Sequence, residues 1–135
     1  MRILVVDDDP ACRAIVAVCL KVLGDIEVCE AEDGDAAWAL LKRNHYDGAV
    51  LDWQMPGKSG LEIVREIRRA GTAIPLLMVT GESEKQRVIE AIQGGITDYL
   101  IKPFDAGVLR AKLGKFAELA RPNMAARQGV NCILI

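Results

Sequence analysis

No stretch of this 135-residue chain approaches the ~20 consecutive apolar residues that a membrane-spanning helix needs, and its start lacks the basic, apolar and small-residue succession of a secretory signal. The expectation is a cytoplasmic chain. Nor is there an excess of positive charge. Seventeen Lys and Arg stand against 19 Asp and Glu, leaving −2 at neutral pH, so nothing draws this chain as a whole to nucleic acid or an anionic membrane. The four cysteines, Cys12, Cys19, Cys29 and Cys132, show no CxxC spacing and read as small core residues rather than as redox or metal centres. The ending Cys132-Ile133-Leu134-Ile135 has the bare shape of a prenylation signal, but no polybasic stretch precedes it and it is not read as one. Internal repeats and low-complexity segments are absent. The single histidine, His45, stands beside Tyr46 near a helix end and reads as a surface or capping residue.

What is present is alternation. Short apolar runs at 2–6, 26–31, 47–51, 75–79 and 98–102 alternate with stretches of helical period at 10–23, 34–44, 59–70, 84–93 and 105–120, the pattern of βα units on a parallel sheet. Asp33-Gly34, Pro56-Gly57, Ser59-Gly60 and Gly94-Gly95 punctuate it, and Pro75 permits only a strand start or an edge. The first, third and fourth strands are continuous apolar runs, as burial under helices on both faces requires, so they belong in the middle. The length fits one domain, expected over 1–120. From Arg121 the pattern breaks at Pro122, and 121–135 reads as a tail or the beginning of a linker.

Chemistry collects where the strands end. Asp7-Asp8-Asp9 follow the first strand, Asp52 the third, Thr80 closes the fourth, and Lys102-Pro103 follow the fifth. In a parallel sheet all carboxyl ends share one edge, so these distant residues can form one site. A cluster of acids repels itself unless a cation joins it, and oxygen ligands of this kind suit Mg²⁺ or Mn²⁺. Asp7 and Asp8 are the candidate ligands. Asp52 is the candidate nucleophile, because a carboxylate can attack phosphorus to form an acyl phosphate. Thr80 can donate to a phosphoryl oxygen, and Lys102 supplies a compact positive charge that Pro103 holds at the strand end by biasing it toward an extended backbone. Asp9, just before Pro10, reads as a helix N-cap.

In this order, within "ILVVDDD", "AVLDWQMPGKSGLE", "LLMVTGESE" and "DYLIKPF", these residues closely resemble the response-regulator receiver domain of the CheY-like kind, from about Arg2 to Ala120. The resemblance implies a doubly wound, flavodoxin-like five-stranded parallel sheet in the order 2-1-3-4-5 with five flanking helices. It also implies that Asp52 accepts a phosphoryl group from a sensor histidine kinase or a histidine phosphotransfer protein. The metal would be held by Asp8, Asp52 and the backbone carbonyl of Gln54, with Asp7 acting largely through water. Thr80 and Tyr99 match the family's switch pair, Lys102 its amine, and Gly81 its small residue beside the phosphate. Gln54 and Glu82 stand where the lifetime of the phosphorylated state is tuned, and Ile96 stands where alanine is usual.

The protein would then be a signalling switch rather than an enzyme on other substrates, passing its state to a downstream protein or output domain. A homodimer through the fourth helix, fifth strand and fifth helix is open, with Arg87, Glu90, Asp98 and Arg110 either ion-paired or solvated. On the first helix, Cys12, Ile15, Val16, Cys19, Leu20 and Leu23 read as a buried stripe. Ala14, Ala17, Val18 and Val22 would then face outward, where a partner can dock. Trp53, next to Asp52, would report on the site, and Trp38 would pack. Arg65, Glu66, Arg68 and Arg69 read as a solvated face, as do Arg110, Lys112 and Lys115. Two rivals remain: a receiver-like hub that is never phosphorylated, and a phosphatase of the haloacid-dehalogenase type. The latter would use Asp7 and Asp9, but it needs a Gly-Thr where Pro10-Ala11 stand.

Overall fold

Caps and glycines cut the chain into its elements. In the computed structural model, which describes residues 1–121, these are β1 (Arg2–Val6), α1 (Pro10–Val22), β2 (Glu27–Ala31), α2 (Gly34–Arg43) and β3 (Gly48–Leu51). They continue as α3 (Gly60–Arg69), β4 (Leu76–Thr80), α4 (Lys85–Gly94), β5 (Asp98–Ile101) and α5 (Ala106–Ala120). Side-chain oxygens of Asp9, Asp33, Ser59 and Asp105 accept from the first free N–H groups of α1, α2, α3 and α5, each such cap being worth about 1 kcal/mol. The N-cap expectation for Asp9 holds. Pro75 lies just outside β4, and its carbonyl accepts from Ala49 N–H.

The strands form one parallel sheet in the order β2-β1-β3-β4-β5, as the resemblance implied. Val6 pairs with Leu51, and Thr80 with Ile101. That register brings Asp7 and Asp52 level on neighbouring strands, with Lys102 one residue beyond Thr80's partner. Alternate strand residues feed two cores. Ile3, Val5, Val50 and Leu77 meet α1 and α5 on one side, and Leu4, Leu51, Leu76 and Met78 meet α2, α3 and α4 on the other. All eight are essentially inaccessible, which at about 1.5–3 kcal/mol per buried aliphatic side chain makes the central strands the rigid base of the site.

Two sequence expectations are corrected. On α1 the buried residues are Cys12, Val16, Ala17 and Leu20, whereas Ile15 and Leu23 are exposed. Cys12, Val16 and Leu20 recur every four residues and meet the sheet, and the adjacent face meets α5, where small Ala17 fits. On α3, Arg65 and Arg69 are solvated, but Arg68 is half-buried and donates to the carbonyls of Gly95 and Thr72, and Glu66 accepts from Lys58 at 2.6 Å. Burial pulls the Arg68 guanidinium below its usual pKa. Arg110 and Lys115 are exposed, and Lys112 pairs with Asp98 at 2.8 Å. That pair outweighs burial and lowers the Asp98 pKa.

His45 is on the surface, 3.4 Å from Asp47, and Trp38 packs partly against the α2–α4 side with the Lys42 and Lys58 ammoniums over its ring. Ile96 packs against the same core. Cys12 is buried and Cys19 and Cys29 are half-buried, while the readings on Cys132 and on the segment from Pro122 lie outside the described residues. Among the described residues no helix is long and apolar enough to cross a membrane.

Candidate functional site

Asp52 leaves β3 with its N–H bonded to the Val6 carbonyl at 3.0 Å, so the strand ladder runs up to the site itself. The chain then folds back: Gly60 N–H donates to the Trp53 carbonyl at 2.9 Å, and a Cβ at Gly60 would lie only 2.1 Å from the Asp52 carbonyl oxygen. Only glycine allows α3 to start that close. Gly57 turns the same loop with φ +77. The Asp52 side chain is held from two sides, by Gln54 N–H at 3.2 Å and by the Lys102 ammonium at 3.1 Å.

Lys102 also reaches Asp7, at 2.8 Å. The Lys102 side chain is 22% exposed, that of Asp7 5% and that of Asp52 8%. Burial alone would lower the lysine pKa, but the hydrogen bonds and charges of Asp7 and Asp52 outweigh it and hold the ammonium above its usual value. The Lys102–Pro103 peptide is cis, and Lys102 N–H donates to the Thr80 carbonyl at 2.8 Å. Asp7 is fixed further by Asp9 N–H at 2.9 Å on its carboxylate and by the Arg13 guanidinium at 2.7 Å on its carbonyl. Asp8 is exposed at the mouth.

Asp7, Asp8 and Asp52 can bring carboxylate oxygens within 4.8 Å of one another. Three negative charges and one ammonium sum to −2, which a single divalent cation neutralises. Hard oxygen donors at this spacing fit such a cation, and the set lacks the His or Cys ligands that favour zinc. Residues at β1 and β3 thus form the metal-compatible side of the site, and Thr80 and Lys102 close the other.

Thr80 is completely buried, and its hydroxyl accepts from Glu82 N–H at 3.3 Å. The Tyr99 hydroxyl donates to the Glu82 carbonyl at 2.5 Å. Both members of the sequence-identified pair therefore hold the backbone of one residue, Glu82. Burial, then the charges of Glu82 and Asp52, push the Tyr99 phenol up to about 12. At the rim, Gln54 Nε2 lies 3.4 Å from Glu82 Oε2, so the two side chains bridge the β3 and β4 loops. A Cβ at Gly81 would meet nothing within 4 Å, which leaves open space beside Thr80.

Three residues make contacts that were not foreseen from the sequence. Arg13 supports Asp7 and pairs with Glu30, Arg87 lies 5.8 Å over the Trp53 ring, and Cys12 sits close enough to Asp7 that burial and the carboxylate push its thiol up to about 12. Arg13 lies one turn into α1, a place from which an arginine can reach back past the helix start. No sequence signal marks the other two contacts.

The fold and this strand-edge arrangement define a receiver-type signalling domain. The family described as the response regulator receiver domain matches residues 3–114, and the chain belongs to it. Chemotaxis protein CheY-3 of Vibrio cholerae is 41% identical over 120 residues, covering 87% of this chain and 92% of the relative. Chemotaxis protein CheY of Pseudomonas aeruginosa is 40% identical over 120 residues, covering 87% and 97%. Among solved structures, the response regulator TrrA of Thermotoga maritima in complex with Mg²⁺ and BeF is 33% identical with a TM-score of 0.73, covering 85% of this chain and 97% of that one.

Proposed function

We propose that residues 1–120 form a receiver whose Asp52 accepts a phosphoryl group from a histidine kinase or histidine phosphotransfer protein in the cytoplasm. Residues 121–135 would be a C-terminal tail or a truncated linker. The observation that carries this reading is the Lys102 ammonium shared between Asp7 and Asp52, with Asp8 beside them. In the reaction a carboxylate oxygen of Asp52 attacks phosphorus, the bond from phosphorus to the donor nitrogen breaks, and the imidazole leaves with the electron pair. Hydrolysis of the acyl phosphate by water resets the site.

Asp8, Asp52 and the Gln54 carbonyl would hold Mg²⁺ or Mn²⁺, with Asp7 acting through water, and the cation supplies neutralisation of the acids and of the phosphoryl oxygens. TrrA, bound to Mg²⁺ and BeF, supports this choice of metal. Lys102 then offsets phosphoryl charge. Thr80 donates its hydroxyl proton to a phosphoryl oxygen, and because a hydroxyl both donates and accepts it can do so while keeping Glu82 N–H. Any movement of Thr80 pulls on Glu82, and Tyr99 follows through the carbonyl it holds.

Gln54 and Glu82, at the rim, tune how long the phosphoryl group lasts. The consequence is a changed surface at α4, β5 and α5, through which a downstream protein, an output domain or a second copy would read the state.

The test is intact mass after incubation with acetyl phosphate, with and without Mg²⁺, for the native chain and for Asp52→Ala, with circular dichroism to verify folding. One phosphoryl addition that requires Mg²⁺ and disappears in the variant is expected. No addition to a folded, metal-binding protein would replace the switch with a hub that is never phosphorylated. Turnover of a small phosphate ester that depends on Asp7 but survives loss of Asp52 would replace it with a phosphatase.

A further inference from the structure

Arg13, in the first turn of α1, serves two partners at once. Its Nη1 donates to the Asp7 carbonyl at 2.7 Å, and its Nε donates to Glu30 on β2 at 3.1 Å. The arginine side chain is only 18% exposed. With it in place every hydrogen-bonding group of Asp7 is engaged. The N–H donates to the Ala31 carbonyl, one carboxylate oxygen accepts from Asp9 N–H and the other from Lys102, and the carbonyl accepts from Arg13.

The Asp7 carbonyl belongs to the peptide group that leads into Asp8. That group is planar, so fixing its oxygen fixes where the Asp8 nitrogen and Cα stand. Asp8 is exposed at the mouth of the site, where packing does not hold it. Its carboxylate joins those of Asp7 and Asp52 only if the backbone delivers it there. A lone cation next to a metal ligand would oppose a dication, but Glu30 cancels the charge of Arg13. What the neutral pair contributes is its hold on the backbone.

We propose that Arg13, itself held by Glu30, is a positioning residue that sets divalent-metal affinity by fixing the Asp7–Asp8 peptide. The inference rests on the metal site of the proposed function and adds a determinant outside the acids. Groups that orient a metal's ligands typically cost about 10- to 100-fold in affinity when removed. Asp9 N–H and Lys102 would still hold the Asp7 side chain, so the lower end, about tenfold, is expected here.

The experiment measures Mg²⁺ binding to the full 135-residue chain by titration calorimetry, with urea unfolding in the absence of metal as the fold control. The informative variant is Arg13→Met with Glu30→Gln. It removes one charge of each sign, so the net field is unchanged and only the hold on the Asp7 carbonyl is lost. Mg²⁺ should bind about tenfold more weakly. The Mg²⁺ concentration for half-maximal phosphorylation by acetyl phosphate should rise by the same factor, with a smaller fall in the rate at saturating Mg²⁺. An arginine that merely braced the fold would lower the urea midpoint and leave the affinity of the folded protein where it was.

Arg13→Lys keeps the charge, but one nitrogen must serve two partners that the guanidinium reaches with two. An intermediate loss of about threefold is expected, and this variant carries the test if the double variant does not fold. If the native chain binds Mg²⁺ and the folded variant binds it equally well or more tightly, the proposal is overturned and the metal site stands. If the native chain binds no Mg²⁺, the metal site falls and the role of Arg13 falls with it.

Discussion

Replacing Lys102 with alanine should destabilise the domain and tighten its hold on divalent metal at the same time. The ammonium lies 2.8 Å from Asp7 and 3.1 Å from Asp52, whose side chains are 5% and 8% exposed. At an effective dielectric of ~20 each contact represents about 5–6 kcal/mol of bare Coulomb attraction, most of it offset by the cost of removing the charges from water. Because Lys102 is 22% exposed, solvent screens the loss, and the expected cost without metal is about 1–3 kcal/mol. The site charge goes from −2 to −3, and a dication no longer meets the ammonium. Its affinity should rise roughly ten- to a hundredfold, about 1.4–2.8 kcal/mol. Urea unfolding with and without saturating Mg²⁺ reads the first effect. Mg²⁺ titration followed by the fluorescence of Trp53, in a Trp38→Phe background, reads the second. Metal should restore most of the lost stability. A Lys102→Ala protein that binds Mg²⁺ no more tightly than the native chain would refute the electrostatic account, and one that loses no stability without metal would do the same.

Gly60→Ala drives a Cβ to 2.1 Å from the Asp52 carbonyl, so we expect a loss of at least about 3 kcal/mol in urea unfolding together with a fall in phosphorylation; a near-neutral variant would show that the loop shifts freely. Thr80→Val keeps the shape but leaves Glu82 N–H without its acceptor, at a cost of about 0.5–1.5 kcal/mol, and should retain phosphorylation while losing the accompanying NMR shift at Tyr99. Glu82→Gln removes a rim carboxylate that repels anionic donors and should raise the initial rate with acetyl phosphate about two- to fivefold; an unchanged rate removes Glu82 from the approach path. The Tyr99 phenol is raised to about 12 in the fold, so its contribution is complete below the ordinary value of ~10 and is lost as pH rises through the folded one. Solvent screening of the half-buried ring limits that loss to about 1 kcal/mol, and Tyr99→Phe should lose correspondingly less stability between about pH 9 and 12.

The fold was legible because a parallel strand buried on both faces has no choice but a continuous apolar run, and β1, β3 and β4 are such runs. The ends of those runs then located Asp7, Asp52 and Thr80, and Lys102 followed from the Pro103 that confines it. Periodicity failed on α1 for a physical reason. When nearly every position is apolar, the pattern has no polar side to orient it, and only the packing of α5 decides that Ala17 goes in and Ile15 out. Arg68 was misplaced for a related reason: a charged side chain reads as solvated, yet the carbonyls of Thr72 and Gly95 offer it a half-buried seat that no local pattern announces. The link between Thr80 and Tyr99 was invisible at the level of residue types, because it runs through the peptide groups of Glu82.

Under the proposed function, charge added at Asp52 would reach the surface through this link. Thr80 is rigidly placed, fully buried at the end of a central strand, with its carbonyl fixed by Lys102 N–H. Glu82 is not held in that way: its N–H rests on a hydroxyl at 3.3 Å, longer than a good hydrogen bond, and its carbonyl on the Tyr99 phenol. The weak member of this chain is therefore the contact at Thr80, on the side of Asp52, and the short one is the contact next to β5. A perturbation at Thr80 changes the loose end first, while the tight end carries Tyr99 along. Arg87 over Trp53 makes a second tie between α4 and the residue beside Asp52, so the two ends of the β4–α4 connection are each anchored to one side of the site. Under the proposed function, a phosphoryl group on Asp52 would act on both anchors, and α4 would be the element that responds.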